Sequence, residues 1–176
     1  MREYEFTLKF RLSDPAADPD QHLEALAASG CDDATVGLGQ RGRIALVFAR
    51  ESKSAWAAIA SAVRDVKQAI PGAELIEASP DFVGLSDLAD IAGFTRQNMR
   101  KLMLSNIATF PLAVHEGTPS LWHLASVLTW LQDHQQRPVD GVLLDIAKTN
   151  MVLNIAKETR RLPGAALPKE LVPLFA

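Results

Sequence analysis

Between Thr95 and Ser105 the chain carries Arg96, Gln97, Asn98, Arg100 and Lys101 and no carboxylate. All five side chains donate hydrogen bonds, and Gln97 and Asn98 accept them as well. Arginine and lysine suit the acceptor edge of guanine or a phosphate oxygen. Glutamine and asparagine suit the paired donor and acceptor of adenine. Such donors gathered on one helix have the chemistry needed to read a nucleic-acid duplex, provided the surrounding sequence holds them outward.

The stretch from Leu85 to Leu104 does so by its spacing. Leu88, Ala89 and Ala92 mark the inner face of a first short helix, and Gly93 ends it where a tight turn needs a positive φ. After Phe94, Thr95 caps a second helix by accepting a backbone N–H. Met99 and Leu102 turn this helix inward. Two short helices joined by so short a turn cross steeply, and the small Ala89 lets them approach. Thr95, Arg96, Gln97, Asn98, Arg100 and Lys101 then stay outside, at a helix N-terminus that favours a phosphate. A helical hairpin inside a core, with an ordinary solvated face, is the other reading of the same pattern.

Upstream, residues 1–80 alternate strand and helix signals. Tyr4, Phe6, Leu8, Phe10 and Leu12 are apolar at every second position, which predicts a half-buried strand. A helix follows over Asp20–Ser29, then strands over Ala34–Leu38 and Arg43–Ala49 around the turn residues Gly39 and Gly42. Ser52 or Ser54 caps a helix through Ile70, with Trp56, Ile59, Ala60, Val63, Val66 and Ile70 as its apolar stripe. Ala73–Ala78 reads as a fourth strand. The order β-α-β-β-α-β predicts a ferredoxin-like domain, so the fold class is α+β, with a boundary at Ser79 and Pro80. Residues 81–136 read as the helix-turn-helix unit, a small hairpin over Phe110–Leu121 and a helix over Ala125–Gln132. Residues 137–176 read as a helix from Val139 to Arg161 and an extended proline-rich tail. Val142, Leu143, Ile146, Met151, Leu153 and Ala156 form a stripe on that helix, for packing on its own domain or for a homodimer contact.

The totals narrow the alternatives. The 176 residues carry a net charge of −3, and residues 81–136 are acidic overall although their three basic side chains all lie between Arg96 and Lys101. A lone cysteine, Cys31, excludes an internal disulfide and fits a reducing cytoplasm. The first residues lack the apolar core of a signal peptide. Asp32 and Asp33 beside Cys31 would raise its pKa, which is wrong for a nucleophile. Gly37, Gly39 and Gly42 lack the following helix of a dinucleotide-binding loop. Arg41 and Arg43 on that turn are further candidates for a backbone phosphate. His22, His115, His123 and His134 have no metal-ligand spacing. Neither an enzyme nor a cofactor is expected.

The stretch Val83–Leu131 resembles the winged helix-turn-helix domains of the MerR and phage-excisionase type. The helices from Leu85 match its opening module. Phe110, Pro111, the turn at Gly117, and Trp122 before a helix with Val127 and Trp130 look like its wing and closing helix. The resemblance implies a recognition helix in the major groove of double-stranded DNA, with Arg96, Gln97, Asn98, Arg100 and Lys101 as contacts. It implies a wing tip at His115, Glu116, Gly117 and Thr118. Glu116 departs from the expected basic tip and points to a weak or steric wing contact. The N-terminal part is similar to uncharacterised bacterial proteins that place a small β-α-β-β-α-β domain before this module. A cytoplasmic transcriptional regulator acting as a homodimer is the expectation. The alternatives are a protein-interaction or antitoxin-like module, and a small-molecule sensor or enzyme built on residues 1–80.

Overall fold

The computed structural model describes residues 1–37 and 40–162. Strand β1 (Arg2–Arg11) has the alternation its sequence demands, with Tyr4, Phe6, Leu8 and Phe10 buried on one face. It lies between β3 (Arg43–Ser52) and β4 (Glu74–Ser79), and β2 (Ala34–Gly37) flanks β3. The sheet order is β2-β3-β1-β4, and every neighbouring pair is antiparallel. Register is fixed by the buried face: Phe6 opposes Phe48, Leu8 opposes Leu46 and Phe10 opposes Ile44. A one-residue slip would expose all of them. Of the expected hairpin turn, Gly39 lies outside the described residues, as does Leu38 of the expected second strand.

Helices α1 (Leu23–Ala28), entered through a 3-10 turn at Pro19–His22, and α2 (Ala55–Ala69) pack in this first core. Ser54, not Ser52, caps α2, its hydroxyl accepting from the Ala57 N–H at 3.1 Å. The inner face of α2 is Ala55, Ala58, Ile59, Ala62 and Val66. Trp56, expected in the stripe, is instead 57% exposed. The alanines bring the helix close to the sheet and leave no space there for an indole.

Arg50 follows Phe48 at the same strand parity and is also buried. Its guanidinium donates to both carboxylate oxygens of Asp33, at 2.6 and 2.9 Å, to Asp65 at 2.7 Å, and to the Gly30 carbonyl at 2.6 Å. These partners hold its pKa above the ordinary arginine value, with the Asp33 hydrogen bond as the largest cause. The adjacent Cys31 thiol is pushed up to about 11, mainly by burial and then by Asp65. It stays protonated at neutral pH, as the acidic neighbours suggested, with burial as the larger cause.

A second core gathers β5 (Phe82–Val83), α3 (Leu85–Ala92), α4 (Arg96–Ser105), β6 (Trp122–His123) and α5 (Leu124–Gln135). Phe110 is its aromatic hub, edge-on to Trp130 at 5.0 Å and to Trp122 at 6.1 Å between ring centroids.

Helix α6 (Gly141–Arg160) belongs to both cores: Ile146 sits in the first, Leu144 and Ala147 in the second. The expected stripe is therefore mostly turned inward, with Val142, Leu143, Met151 and Leu153 half-buried, while Ala156 is exposed. That use within the chain removes the stripe as a ready dimer face. The inner line of α6 also holds two buried asparagines. Asn154 donates to the Ala78 carbonyl at 2.8 Å and accepts from the Ala78 N–H at 3.0 Å. Asn150 donates to the Pro80 carbonyl at 3.1 Å, and Lys157 donates to the Ile76 carbonyl. Residues 150, 154 and 157 thus follow the carbonyls of residues 80, 78 and 76. From residue 150 to 154 the helix rises about 6 Å, close to the roughly 6.7 Å of two extended residues, while the three-residue step to 157 rises only about 4.5 Å and is met by the longer lysine side chain. β4 is one of the two edge strands, and α6 covers free backbone groups on it with side chains. The turn at Pro80 is held down rather than free, and Asp81 beside it is fully buried. No helix among the described residues is long and apolar enough to cross a membrane. The expected tail, from Pro163 onward, lies outside the described residues.

Candidate nucleic-acid interface

The turn between α3 and α4 forms as its residue types require. Gly93 adopts the left-handed conformation, with φ 69° and ψ 34°, and the Phe94 N–H closes onto the Ala89 carbonyl at 2.8 Å. The Thr95 hydroxyl accepts from the Asn98 N–H at 3.1 Å and fixes the first turn of α4. Leu88, Ala89 and Met99 are buried, with Ala92, Phe94 and Leu102 half-buried around them.

That packing leaves Thr95, Arg96, Gln97, Asn98, Arg100 and Lys101 exposed. Among the described residues, the side chains of the last five make no hydrogen bond or ion pair with the rest of the chain. Their donors are left to water or to a partner. The five border two depressions. Gln97, Asn98, Arg100 and Lys101 line one depression together with Leu104. Arg96 turns into a groove of about 450 Å³ that also holds Asp87 and the residues Gly117 and Thr118. No family model, curated protein or solved structure matches this chain. The arrangement must therefore be read from its own geometry.

The expected wing departs from its reading. Residues 110–121 do not form a regular hairpin: they hold a single antiparallel bridge, between His115 and Leu121. The paired strands lie outside them, with Phe82 opposite His123 and Val83 opposite Trp122. Pro111 and Pro119 remove two backbone donors from the segment, so a ladder cannot run through it. His115, Glu116, Gly117 and Thr118 are all exposed. The His115 ring, however, lies over Gly117, where a β-carbon would sit. Of the tip residues, Gly117 and Thr118 share the groove with Arg96, and His115 does not.

One feature was missed from sequence. Leu104, Ile107 and Leu112 are 53%, 75% and 89% exposed, and together they make an apolar patch at the end of α4. A groove of about 270 Å³ runs through it, floored by Phe110 and Trp122.

Arg41 and Arg43 lie with Arg11 around a separate depression at the far end of the sheet, in the first core and apart from the α4 surface. Arg11 is paired there with Glu74.

Proposed function

We propose that the chain binds double-stranded DNA and acts as a homodimeric transcriptional regulator, with α4 as the recognition helix. The observation that carries this reading is a capped helix that has no carboxylate of its own and exposes Arg96, Gln97, Asn98, Arg100 and Lys101, whose side chains are unpaired among the described residues. In this reading residues 82–135 are a winged helix-turn-helix with a shortened wing. The antiparallel sheet order β2-β3-β1-β4 supports a ferredoxin-like reading of residues 1–80. Affinity for duplexes recovered with the tagged protein should fall steeply with salt. The expected slope of log affinity against log salt is about −4 for two subunits making roughly two phosphate contacts each. A slope near zero would remove duplex DNA as the partner of α4.

The apolar patch at Leu104, Ile107 and Leu112 favours a second reading, in which this end of the second core meets another protein. Salt separates the two, because an apolar contact is insensitive to it.

For the dimer, the outer face of the sheet has the better chemistry. Its centre is Thr7, Thr35, Ala45, Val47 and Ala49, with no bulky side chain other than the half-exposed Val47. Glu3, Glu5 and Glu51 lie at one end, and Lys9, Arg11 and Arg43 at the other, partly offset by Glu74 and Glu77. A two-fold axis across the strands lays acid over base in both halves of the contact. Reversing Glu3, Glu5 and Glu51 to lysine should shift the mass measured by light scattering from dimer to monomer, weakening association at least about tenfold. An unchanged mass would place the dimer contact elsewhere.

A further inference from the structure

At one end of the four-stranded sheet the chain sets arginine opposite arginine. Arg11 on β1 is the register partner of Arg43 on β3 and, on its other side, of Glu74 on β4. Like charges directly opposed across strands repel. Glu74 offsets one of the two, since its carboxylate accepts from Arg11. Arg43 has no such partner, and neither has Arg41 two residues before it. The ion pairs among the described residues are made by other cations.

The turn that carries these two arginines is pinned. Gly42 between them is buried, its N–H donating to the Ala17 carbonyl at 3.0 Å and its carbonyl accepting from the Leu12 N–H at 2.8 Å. Its φ is +71°, and a β-carbon there would stand 2.6 Å from the Pro15 carbonyl oxygen. Arg41 and Arg43 therefore leave from backbone that is already ordered, and a ligand held by them pays little for ordering it. With Arg11 they border a depression of about 520 Å³, in which Glu74 is the one carboxylate among the described residues. Three guanidinium charges against one carboxylate leave that border at +2.

A guanidinium fork takes two oxygens of one phosphate. Two neighbouring forks without an anion suit two neighbouring phosphates, whereas orthophosphate fills only one of them. The space is within the usual range of small-molecule sites, roughly 300–1,000 Å³, so it also admits the group that a diphosphate terminates.

We propose that this depression binds a diphosphate group, with Arg41 and Arg43 each taking one phosphate while Glu74 holds Arg11 aside. The site lies on the first core and does not depend on what α4 contacts.

Isothermal titration of the full chain with inorganic pyrophosphate, without divalent cations and at about 0.15 M ionic strength, tests it. The expected dissociation constant is roughly 0.1–1 mM, with orthophosphate at least about tenfold weaker. Adenosine diphosphate separates the sources: equal affinity points to the free anion, and affinity more than about threefold tighter points to a nucleotide. Arg41→Ala with Arg43→Ala should weaken pyrophosphate at least about tenfold. That variant should melt no lower than the parent, because it relieves the repulsion with Arg11. Arg43→Lys keeps the charge, loses the fork and should weaken binding about tenfold. Arg64→Ala removes the same charge from the exposed side of α2 and should change nothing. Arg11 and Arg43 also belong to the sheet face assigned above to the dimer, so the variant with Glu3, Glu5 and Glu51 reversed to lysine is titrated as well. It keeps the whole depression and should bind at least as tightly. Weaker binding there would put the anion at the contact between copies and overturn the site. It is also overturned if pyrophosphate does not bind saturably up to about 10 mM, if orthophosphate binds equally well, or if the double variant binds as the parent does. Equal weakening by Arg64→Ala would reduce the effect to net charge and has the same consequence.

Discussion

Replacing Arg96, Asn98 and Arg100 together by alanine should weaken binding to a recovered specific duplex by roughly 10²- to 10⁴-fold. Each base-directed pair contributes about 1–3 kcal/mol, and adjacent contacts share part of that. The fold should not suffer. All three side chains are exposed, and the bond that caps α4 uses the Asn98 backbone N–H and the Thr95 hydroxyl, both of which remain. Alanine is also the better helix former, so the melting temperature should stay level or rise slightly. The three residues occupy different parts of the surface. Arg96 shares its groove with Asp87 and Thr118, while Asn98 and Arg100 line the depression with Leu104. Single variants should therefore relax specificity at different base positions if α4 lies along a groove. Parent-like affinity in the folded triple variant, measured by fluorescence anisotropy at one fixed salt concentration, would end the recognition-helix reading. Retained affinity for a protein partner in the same variant would turn attention to the patch around Leu112.

The parts of this architecture that sequence makes legible are those decided by neighbours along the chain. The alternation from Tyr4 to Phe10 fixes β1, and the Gly93–Phe94–Thr95 turn with its cap fixes α4, because in each case backbone conformation and local spacing do the selecting. What depends on distant packing was not legible. Trp56 obeys helical spacing yet lies outside, since the close approach of an alanine face to the sheet is a property of both partners. The wing reduces to one bridge because its strand partners come from Phe82 and Val83, some 40 residues upstream. Asn150 and Asn154 lie outside the apolar stripe expected on α6, yet both are buried. Their partners are backbone groups of an edge strand, which no side-chain pattern announces. Arg50 did leave a trace, since it stands two residues after Phe48 on the inward side of β3.

Asn154→Ala should be the most damaging single change, destabilising the chain by about 3–5 kcal/mol. The side chain serves three buried groups at once: the Ala78 N–H, the Ala78 carbonyl and one carboxylate oxygen of Asp81, which lies 2.8 Å from Asn154 Nδ2. Asp81 is fully buried, and its other oxygen meets His123 Nδ1 at 2.7 Å. Alanine leaves these groups where water cannot reach them, and each unsatisfied group costs about 1–3 kcal/mol, with less than full additivity. For a chain of this length the loss corresponds to a melting temperature about 10 °C lower. Val152→Ala, two residues away on the exposed side, is the control and should change stability by less than about 0.5 kcal/mol. A loss below about 1 kcal/mol in Asn154→Ala would mean that the polar ladder is not what seats α6 on β4. The position of this network gives the result a further meaning. Asn154 touches the first core at Ala78 and, through Asp81 and His123, the start of β6 and α5 in the second. Asp81→Ala in the Asn154→Ala background should therefore cost much less than in the parent, because the two substitutions break the same link. Strict additivity of the pair would show that the two cores are held together by the apolar contacts of Leu144, Ile146 and Ala147 alone.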